Sequence, residues 1–222
     1  SWMSNETTYG YAAAGPMPLA DINFYNKISD TDFRKLSWKA PAGSVLEGKN
    51  TYIDTATGAA LPEYASLKFR PGSGNMSDFN VGSACSYPMM RVEEMYFIEA
   101  EAAAQQNPAQ GVNLLNDFMS NYRDPQYKCT KSSKEDVVKE IVFQKRVELW
   151  GEGQSFFDIK RLNLPVTRGY AGTLHHTIGR FNTTTRPAWM NFCIVRSEGN
   201  NNTALVGFEN PDPSDVYSSW AE

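Results

Sequence analysis

The sequence predicts a mainly α-helical protein in which helical hairpins are covered by long loops, with little β structure. Apolar residues recur at helical spacing between residues 88 and 162. On both sides of that segment Gly, Pro, Ser, Asn and Thr dominate, and the apolar runs are short. We therefore expect a loop-rich layer over residues 1–87, a helical scaffold over 88–162 and a loop-rich C-terminal region over 163–222.

The first predicted helix spans about residues 90–106 and ends at Asn107-Pro108. The same pair begins the second helix, because Asn is a favoured cap and Pro is tolerated in the first turn. The apolar residues of the second helix lie three or four positions apart, and they are Val112, Leu115, Met119 and Tyr122. Two helices with almost no linker are expected to lie antiparallel as a hairpin, the unit of tetratricopeptide-like arrays.

A capping box formed by Ser133 and Asp136 predicts a third helix, which spans about residues 134–150. Gly151 and Gly153 are expected to end this helix. The reason is that Gly adopts the left-handed conformation of a helix end at no steric cost.

Two elements are predicted beyond these glycines. A short helix is expected over about residues 155–161. The compact apolar run from Trp189 to Val195 is interpreted as a strand, because it is short and lies between loop-like segments.

Composition argues against several classes of function. The net charge is −4, and no Lys/Arg cluster forms a footprint for nucleic acid. No apolar run approaches the roughly 20 residues of a membrane-spanning helix. Cys85, Cys129 and Cys193 form no Cys-x-x-Cys pair, so zinc and dithiol redox motifs are absent, and their pairing is left open. We expect no cofactor and no metal site.

Charged residues within the apolar faces of the helices are candidates for a structural role. Lys145 and Glu148 fall inside the apolar stripe of the third helix, and an unpaired buried ion costs several kcal/mol. We therefore expect an ion-pair network between the helices. In it, Arg146 or Arg161 contacts Glu94, Glu101 or Asp158. The expected scaffold residues are Arg91, Glu94, Glu101, Arg146, Glu148, Glu152, Asp158 and Arg161.

A catalytic interpretation of the same carboxylates stays open. Glu99 or Glu101 with Glu148 or Glu152 would suit the acid/base pair of a glycosidase, which needs two carboxyl groups about 5–10 Å apart. The adjacent His175 and His176 lack the i, i+4 spacing of metal ligands and are expected in an exposed loop.

Four short sequence motifs follow one another along the chain between about residues 88 and 213. The first runs from Arg91 to Ala102 and reads Arg-Val-Glu-Glu-Met-Tyr-Phe-Ile-Glu-Ala-Glu-Ala. The others are Leu115-Asn116 with Arg123; Glu148-Leu149, Glu152-Gly153, Phe157-Asp158 and Arg161; and Phe192-Cys193-Ile194, Glu198 and Asn210-Pro211. In this order they resemble the SusD/RagB family of bacterial outer-membrane glycan-binding lipoproteins. Three positions depart from the family pattern: Gln144 replaces a frequent acid, Ser155 a frequent Arg, and Val195 a usual Pro.

The resemblance implies a non-enzymatic protein of the Bacteroidetes type at the cell surface, on the outer membrane. Its fold would be an α/α superhelix of tetratricopeptide-like helix pairs covered by loops. Its partners would be an oligosaccharide or polysaccharide and a TonB-dependent SusC-like transporter that imports the glycan. Family members are longer, so the resemblance also implies that the chain is the C-terminal part of a longer protein. The lipid anchor, which would make the only membrane contact, would then lie outside this chain.

Glycan binding is expected to use aromatic rings that stack on sugar faces. The predicted ligand-binding residues are the loop aromatics Trp2, Tyr9, Tyr11, Tyr25 and Trp38. For each of these rings the alternative is packing against the helical scaffold. Two other functions stay open, namely a helical-repeat module that binds proteins without binding glycan, and a glycoside hydrolase that uses a Glu pair.

Overall fold

The computed structural model describes residues 18–50, 61–68 and 88–208. Over these residues the protein is mainly helical, which confirms the predicted fold class. The β structure within them consists of isolated bridges that pair Leu19 with Ala65, Trp38 with Ser66 and Thr167 with Asn182.

Six α-helices lie within the described ranges. They are α1 (Ile22–Asn26), α2 (Val92–Gln106), α3 (Pro108–Tyr122), α4 (Lys134–Glu148), α5 (Gln154–Leu162) and α6 (Arg196–Asn201). Short 3₁₀ helices cover Phe33–Ser37, Thr177–Gly179, Ala188–Met190 and Thr203–Leu205. The chain divides after Glu152 into two compact units, so α5 belongs to the second unit and α1 to α4 belong to the first.

Helices α2 and α3 form the predicted antiparallel hairpin. The Asn107 side chain caps α3 by accepting a hydrogen bond from the Ala109 amide at 3.1 Å. Far from this turn, the rings of Phe97 and Phe118 meet edge to face with centroids 5.1 Å apart. Close to the turn, a Cβ on Gly111 would lie 2.5 Å from the Cβ of Ala104. The two helices therefore approach too closely at Gly111 for any side chain.

Helix α4 begins and ends as the sequence predicts. The Ser133 hydroxyl accepts a hydrogen bond from the Asp136 amide at 3.1 Å and donates one to its carboxylate at 2.7 Å. Beyond the C-terminus of the helix, Gly151 and Gly153 have φ values of 77° and 84°, in the left-handed region that favours glycine. Val137 and Ile141 are fully buried, and α4 packs against α2.

The predicted strand over residues 189–195 is wrong. The structure places a 3₁₀ helix at Ala188–Met190, and no described strand pairs with the rest of the run. Phe192 and Val195 are 84 % and 66 % exposed, so the run lacks the buried face that would favour a strand.

Candidate functional site

Eight described charged residues meet where α2 begins and where α3 and α4 end. We call this group the charge cluster, and its members are Arg34, Lys68, Arg91, Arg123, Asp32, Glu93, Glu148 and Glu152. The formal charges of these four cations and four carboxylates cancel, which limits the cost of removing them from water.

Glu148 lies at the centre of the charge cluster. Its Oε2 accepts hydrogen bonds from Nε of Arg123 at 2.7 Å and from Nη1 of Arg34 at 3.2 Å. Its Oε1 accepts from Nη2 of Arg123 at 2.9 Å and from Nη1 of Arg91 at 3.1 Å. Arg123 thus binds the carboxylate through two parallel hydrogen bonds, the strongest arrangement for this pair. Three guanidinium groups from segments distant in sequence converge on one buried carboxylate.

The arginines determine the ionisation of Glu148. Burial by itself raises the pKa of a carboxyl group. The hydrogen bond and charge of Arg123, with the charges of Arg34 and Arg91, outweigh burial and lower the pKa of Glu148 from 4.5 to about 2. The carboxylate therefore stays ionised at neutral pH.

Glu152 connects the charge cluster to the turn after α4. Its carboxylate accepts hydrogen bonds from Nε of Arg91 at 3.0 Å and from Nζ of Lys68 at 2.5 Å. The same two cations also donate to main-chain carbonyls at the end of α4. Arg91 binds the carbonyl of Glu148 at 2.8 Å, and Lys68 binds that of Trp150 at 2.8 Å. These bonds satisfy carbonyl groups that a helix C-terminus leaves without partners.

The predicted scaffold residues fall into separate groups. Arg91, Glu148 and Glu152 belong to the charge cluster, whereas Arg161 pairs with Asp158 at 2.8 Å, as expected, within the second unit. The remaining three are Arg146, Glu101 and Glu94. Arg146 places its guanidinium 4.8 Å from the centre of the Phe24 ring, Glu101 is buried, and Glu94 forms no ion pair with the described residues.

Five of the eight members of the charge cluster were not among the predicted scaffold residues, namely Asp32, Arg34, Lys68, Glu93 and Arg123. Arg34 and Lys68 come from the loop-rich segment, where no periodicity indicates which charges are buried. Asp32 fixes Arg34 through an ion pair of 2.6 Å, and Arg34 also donates to the amide oxygen of Gln144 at 2.6 Å. Gln144 therefore contacts Arg34 as a neutral residue.

Two of the five predicted ligand-binding aromatics lie within the described residues. Tyr25 and Trp38 are each 2 % exposed and belong to the core. The Trp38 ring packs edge to face against Phe24 and Trp150, with centroids 5.6 Å apart in both pairs. Such rings bury large apolar areas, and in this structure neither is accessible to a sugar. The other candidates, Trp2, Tyr9 and Tyr11, lie outside the described residues.

Of the two adjacent histidines, His176 has a local structural role. His176 caps the 3₁₀ helix Thr177–Gly179 by accepting the Ile178 amide on Nδ1 at 3.4 Å. Among the residues that the structure describes, no three His, Cys, Asp or Glu side chains are placed to hold a metal ion. None of the helices in the described ranges combines the length and apolarity needed to span a membrane.

Comparison with known proteins identifies the family. The sequence model of the SusD family matches residues 22–209. Among solved structures, the chain is similar to a SusD-like carbohydrate-binding protein from Bacteroides vulgatus ATCC 8482, with 25 % identity and a TM-score of 0.60. The similarity covers 98 % of this chain and 46 % of that one, so the chain spans less than half of that protein's length. A search of curated proteins gave no match. The family match covers most of the chain, and the chain therefore belongs to the SusD family.

Proposed function

We propose that the protein binds oligosaccharides or polysaccharides at the bacterial cell surface and delivers them to a TonB-dependent SusC-like outer-membrane transporter. The observation that carries this proposal is the match to the SusD family over residues 22–209. The similar protein from Bacteroides vulgatus, which is described as carbohydrate binding, supports the ligand class. The transporter, the outer-membrane location and a lipid anchor outside this chain are part of the proposal.

The proposed role is capture without chemical change of the glycan. A glycosidase needs a carboxylic acid that donates a proton to the leaving group. Glu148 is ionised and its two oxygens accept four hydrogen bonds from three arginines. Both oxygens of Glu152 bind cations as well. Each proposed acid/base pair includes Glu148 or Glu152, and because both of these carboxylates are engaged in structural bonds, the arrangement supports a non-enzymatic role.

Within this chain we place glycan contacts in the loop aromatics near the N-terminus. Trp2, Tyr9 and Tyr11 stay candidates for stacking on sugar rings. Tyr25 and Trp38 are not included, because their rings are buried in the core.

Gel retardation in native gels that contain soluble polysaccharides tests glycan binding. We expect one polysaccharide to retard the full-length protein. A variant with Trp2→Ala and Tyr9→Ala should bind at least about fivefold more weakly, because a stacked ring contributes roughly 1 kcal/mol. The matched control is Phe208→Ala, which removes a ring that is 79 % exposed in the second unit.

Two outcomes would count against the proposal. Release of reducing sugar from the retarding polysaccharide would indicate a hydrolase. Absence of retardation across the panel, together with co-purification of a protein partner, would favour the protein-binding module. Retardation that the Trp2 and Tyr9 substitutions leave unchanged would contradict only the location of the site.

A further inference from the structure

The second unit contains a segment without acidic residues. Residues 162–195 include three arginines and no Asp or Glu. The whole chain has 25 Asp and Glu among 222 residues and a net charge of −4, and at that frequency a segment of this length would contain about four acids. The arginines of the segment are Arg168, Arg180 and Arg186. This part of the second unit therefore carries positive charge, which attracts anionic ligands.

Arg168 differs from the other two arginines because its side chain is exposed. Arg180 and Arg186 are half-buried and donate to main-chain carbonyls at 2.8 and 3.3 Å. The guanidinium of Arg168 lies 5.1 Å from the centre of the Phe181 ring and forms no ion pair with the described residues. Arg123 lies at a similar distance from a phenylalanine ring, but two carboxylates bind its charge. The charge of Arg168 is therefore available to a ligand.

An exposed indole ring continues the surface beside Arg168. The rings of Phe181 and Trp189 meet edge to face with centroids 4.7 Å apart. Trp189 is 38 % exposed and belongs to the 3₁₀ helix Ala188–Met190. The guanidinium carbon of Arg168 and the Trp189 ring are therefore no more than about 10 Å apart, which is within the span of a disaccharide. We call Arg168, Phe181 and Trp189 together the Arg–Trp surface.

Hydrogen bonds fix the backbone beneath the Arg–Trp surface. An isolated bridge pairs Thr167 with Asn182, and the Arg168 amide donates to the Phe181 carbonyl at 3.0 Å. The Asn182 side chain accepts from the Gly169 amide at 2.9 Å and donates to the Gly169 carbonyl at 2.8 Å. Arg168 and Phe181 are thus held side by side by the main chain, which lowers the entropy lost when a ligand binds.

We propose that the Arg–Trp surface binds an anionic glycan, one that carries carboxylate or sulfate groups. The planar guanidinium of Arg168 binds such a group through two parallel hydrogen bonds, while a sugar ring stacks on Trp189. A nucleic acid is the less suitable polyanion, because the chain belongs to the SusD family and its net charge is −4. The inference rests on the proposed function, to which it adds the charge of the glycan and a binding surface in the second unit.

Gel retardation with matched pairs of polysaccharides tests the charge of the ligand. The pairs are polygalacturonate with its methyl-esterified form, for carboxylate, and dextran sulfate with dextran, for sulfate. We expect the anionic member of at least one pair to retard the full-length protein, and its neutral counterpart to have no effect. The pair that responds identifies the anionic group. Retardation should decrease as the NaCl concentration rises, because salt screens charge attraction at an exposed surface.

Three substitutions locate the site. Arg168→Gln should weaken binding at least about tenfold, because it removes a charge-assisted hydrogen bond, and it should leave the melting temperature unchanged because the side chain is exposed. Trp189→Ala should weaken binding at least about fivefold through the loss of stacking. The matched control is Lys128→Gln, which removes an exposed positive charge from the first unit and should bind as the wild type does.

The outcomes that overturn the inference can be told apart. Retardation by neutral polysaccharides alone would contradict the anionic class and leave glycan binding intact. Equal effects of Arg168→Gln and Lys128→Gln would show that general charge attraction, and not the Arg–Trp surface, retards the protein. Tighter binding of an oligothymidylate than of either anionic polysaccharide would assign the surface to nucleic acid. Absence of retardation by any polysaccharide would contradict the proposed function together with this inference.

Discussion

At the level of single residues, Glu148 makes the contacts that hold several segments of the first unit together. It accepts four hydrogen bonds from Arg34, Arg91 and Arg123, and its side chain is 5 % exposed. Removing one partner of a buried ionic group leaves the others uncompensated, which costs about 3–5 kcal/mol. We therefore expect even a conservative substitution of Glu148 to lower the free energy of unfolding by a large amount.

We expect Glu148→Gln to lower the free energy of unfolding by about 3–5 kcal/mol, as measured by urea denaturation. The substitution keeps the size of the side chain and removes its charge. The control is Glu94→Gln in α2, which should change stability by less than about 0.5 kcal/mol because Glu94 pairs with no described cation. Equal effects of the two substitutions would contradict the central role of Glu148.

The lowered pKa of Glu148 also predicts a dependence of stability on pH. The pKa is about 2 in the folded protein against an ordinary value of 4.5, so the carboxylate stabilises the fold above pH 4.5. That contribution is lost as the pH falls from about 4.5 to 2, and it amounts to roughly 3 kcal/mol because one pKa unit corresponds to about 1.4 kcal/mol.

The measurement compares the wild type and Glu148→Gln by urea denaturation at several pH values. We expect the difference in their free energies of unfolding to shrink steadily below pH 4.5. A difference that stays constant down to pH 2.5 would show that Glu148 has an ordinary pKa in the folded protein.

At the level of elements, the α2–α3 hairpin depends on a close approach of two helices. A Cβ on Gly111 would lie 2.5 Å from the Cβ of Ala104 and 2.9 Å from the carbonyl oxygen of Ala100. Both neighbours are rigid, so the helices must separate to admit even a methyl group. Overpacking of this kind typically costs about 1–3 kcal/mol.

Gly111→Ala should therefore lower the melting temperature of the protein, although alanine is the better helix former. Gly199→Ala in α6 is the matched control, because nothing lies within 4 Å of a Cβ built at Gly199. It should leave the melting temperature unchanged or raise it slightly. Thermal unfolding followed by circular dichroism measures both, and a stable Gly111→Ala variant would contradict the close packing of the hairpin.

The elements also show where local patterns are reliable. Helices α3 and α4 could be predicted because Asn107 and Ser133 cap them through hydrogen bonds to residues two or three positions away. Helix α1 was not predicted. Its five residues hold a helical conformation while Phe24 and Tyr25 pack into the core, a contact that depends on residues remote in sequence.

At the level of the whole molecule, the match to the SusD family over residues 22–209 supports the proposal of glycan capture, which gel retardation tests.

The sequence by itself determined the helical segment, its caps and glycines, and the sequence motifs that indicate the SusD family. These features depend on hydrogen bonds and side-chain spacing within about four residues, which a linear pattern contains. Only the tertiary structure decided which charges meet and which rings are buried. Arg34 and Glu148 are 114 positions apart in the chain, and the burial of Tyr25 and Trp38 depends on the elements that pack around them. Contacts of this kind depend on how distant segments come together, and no local pattern records that.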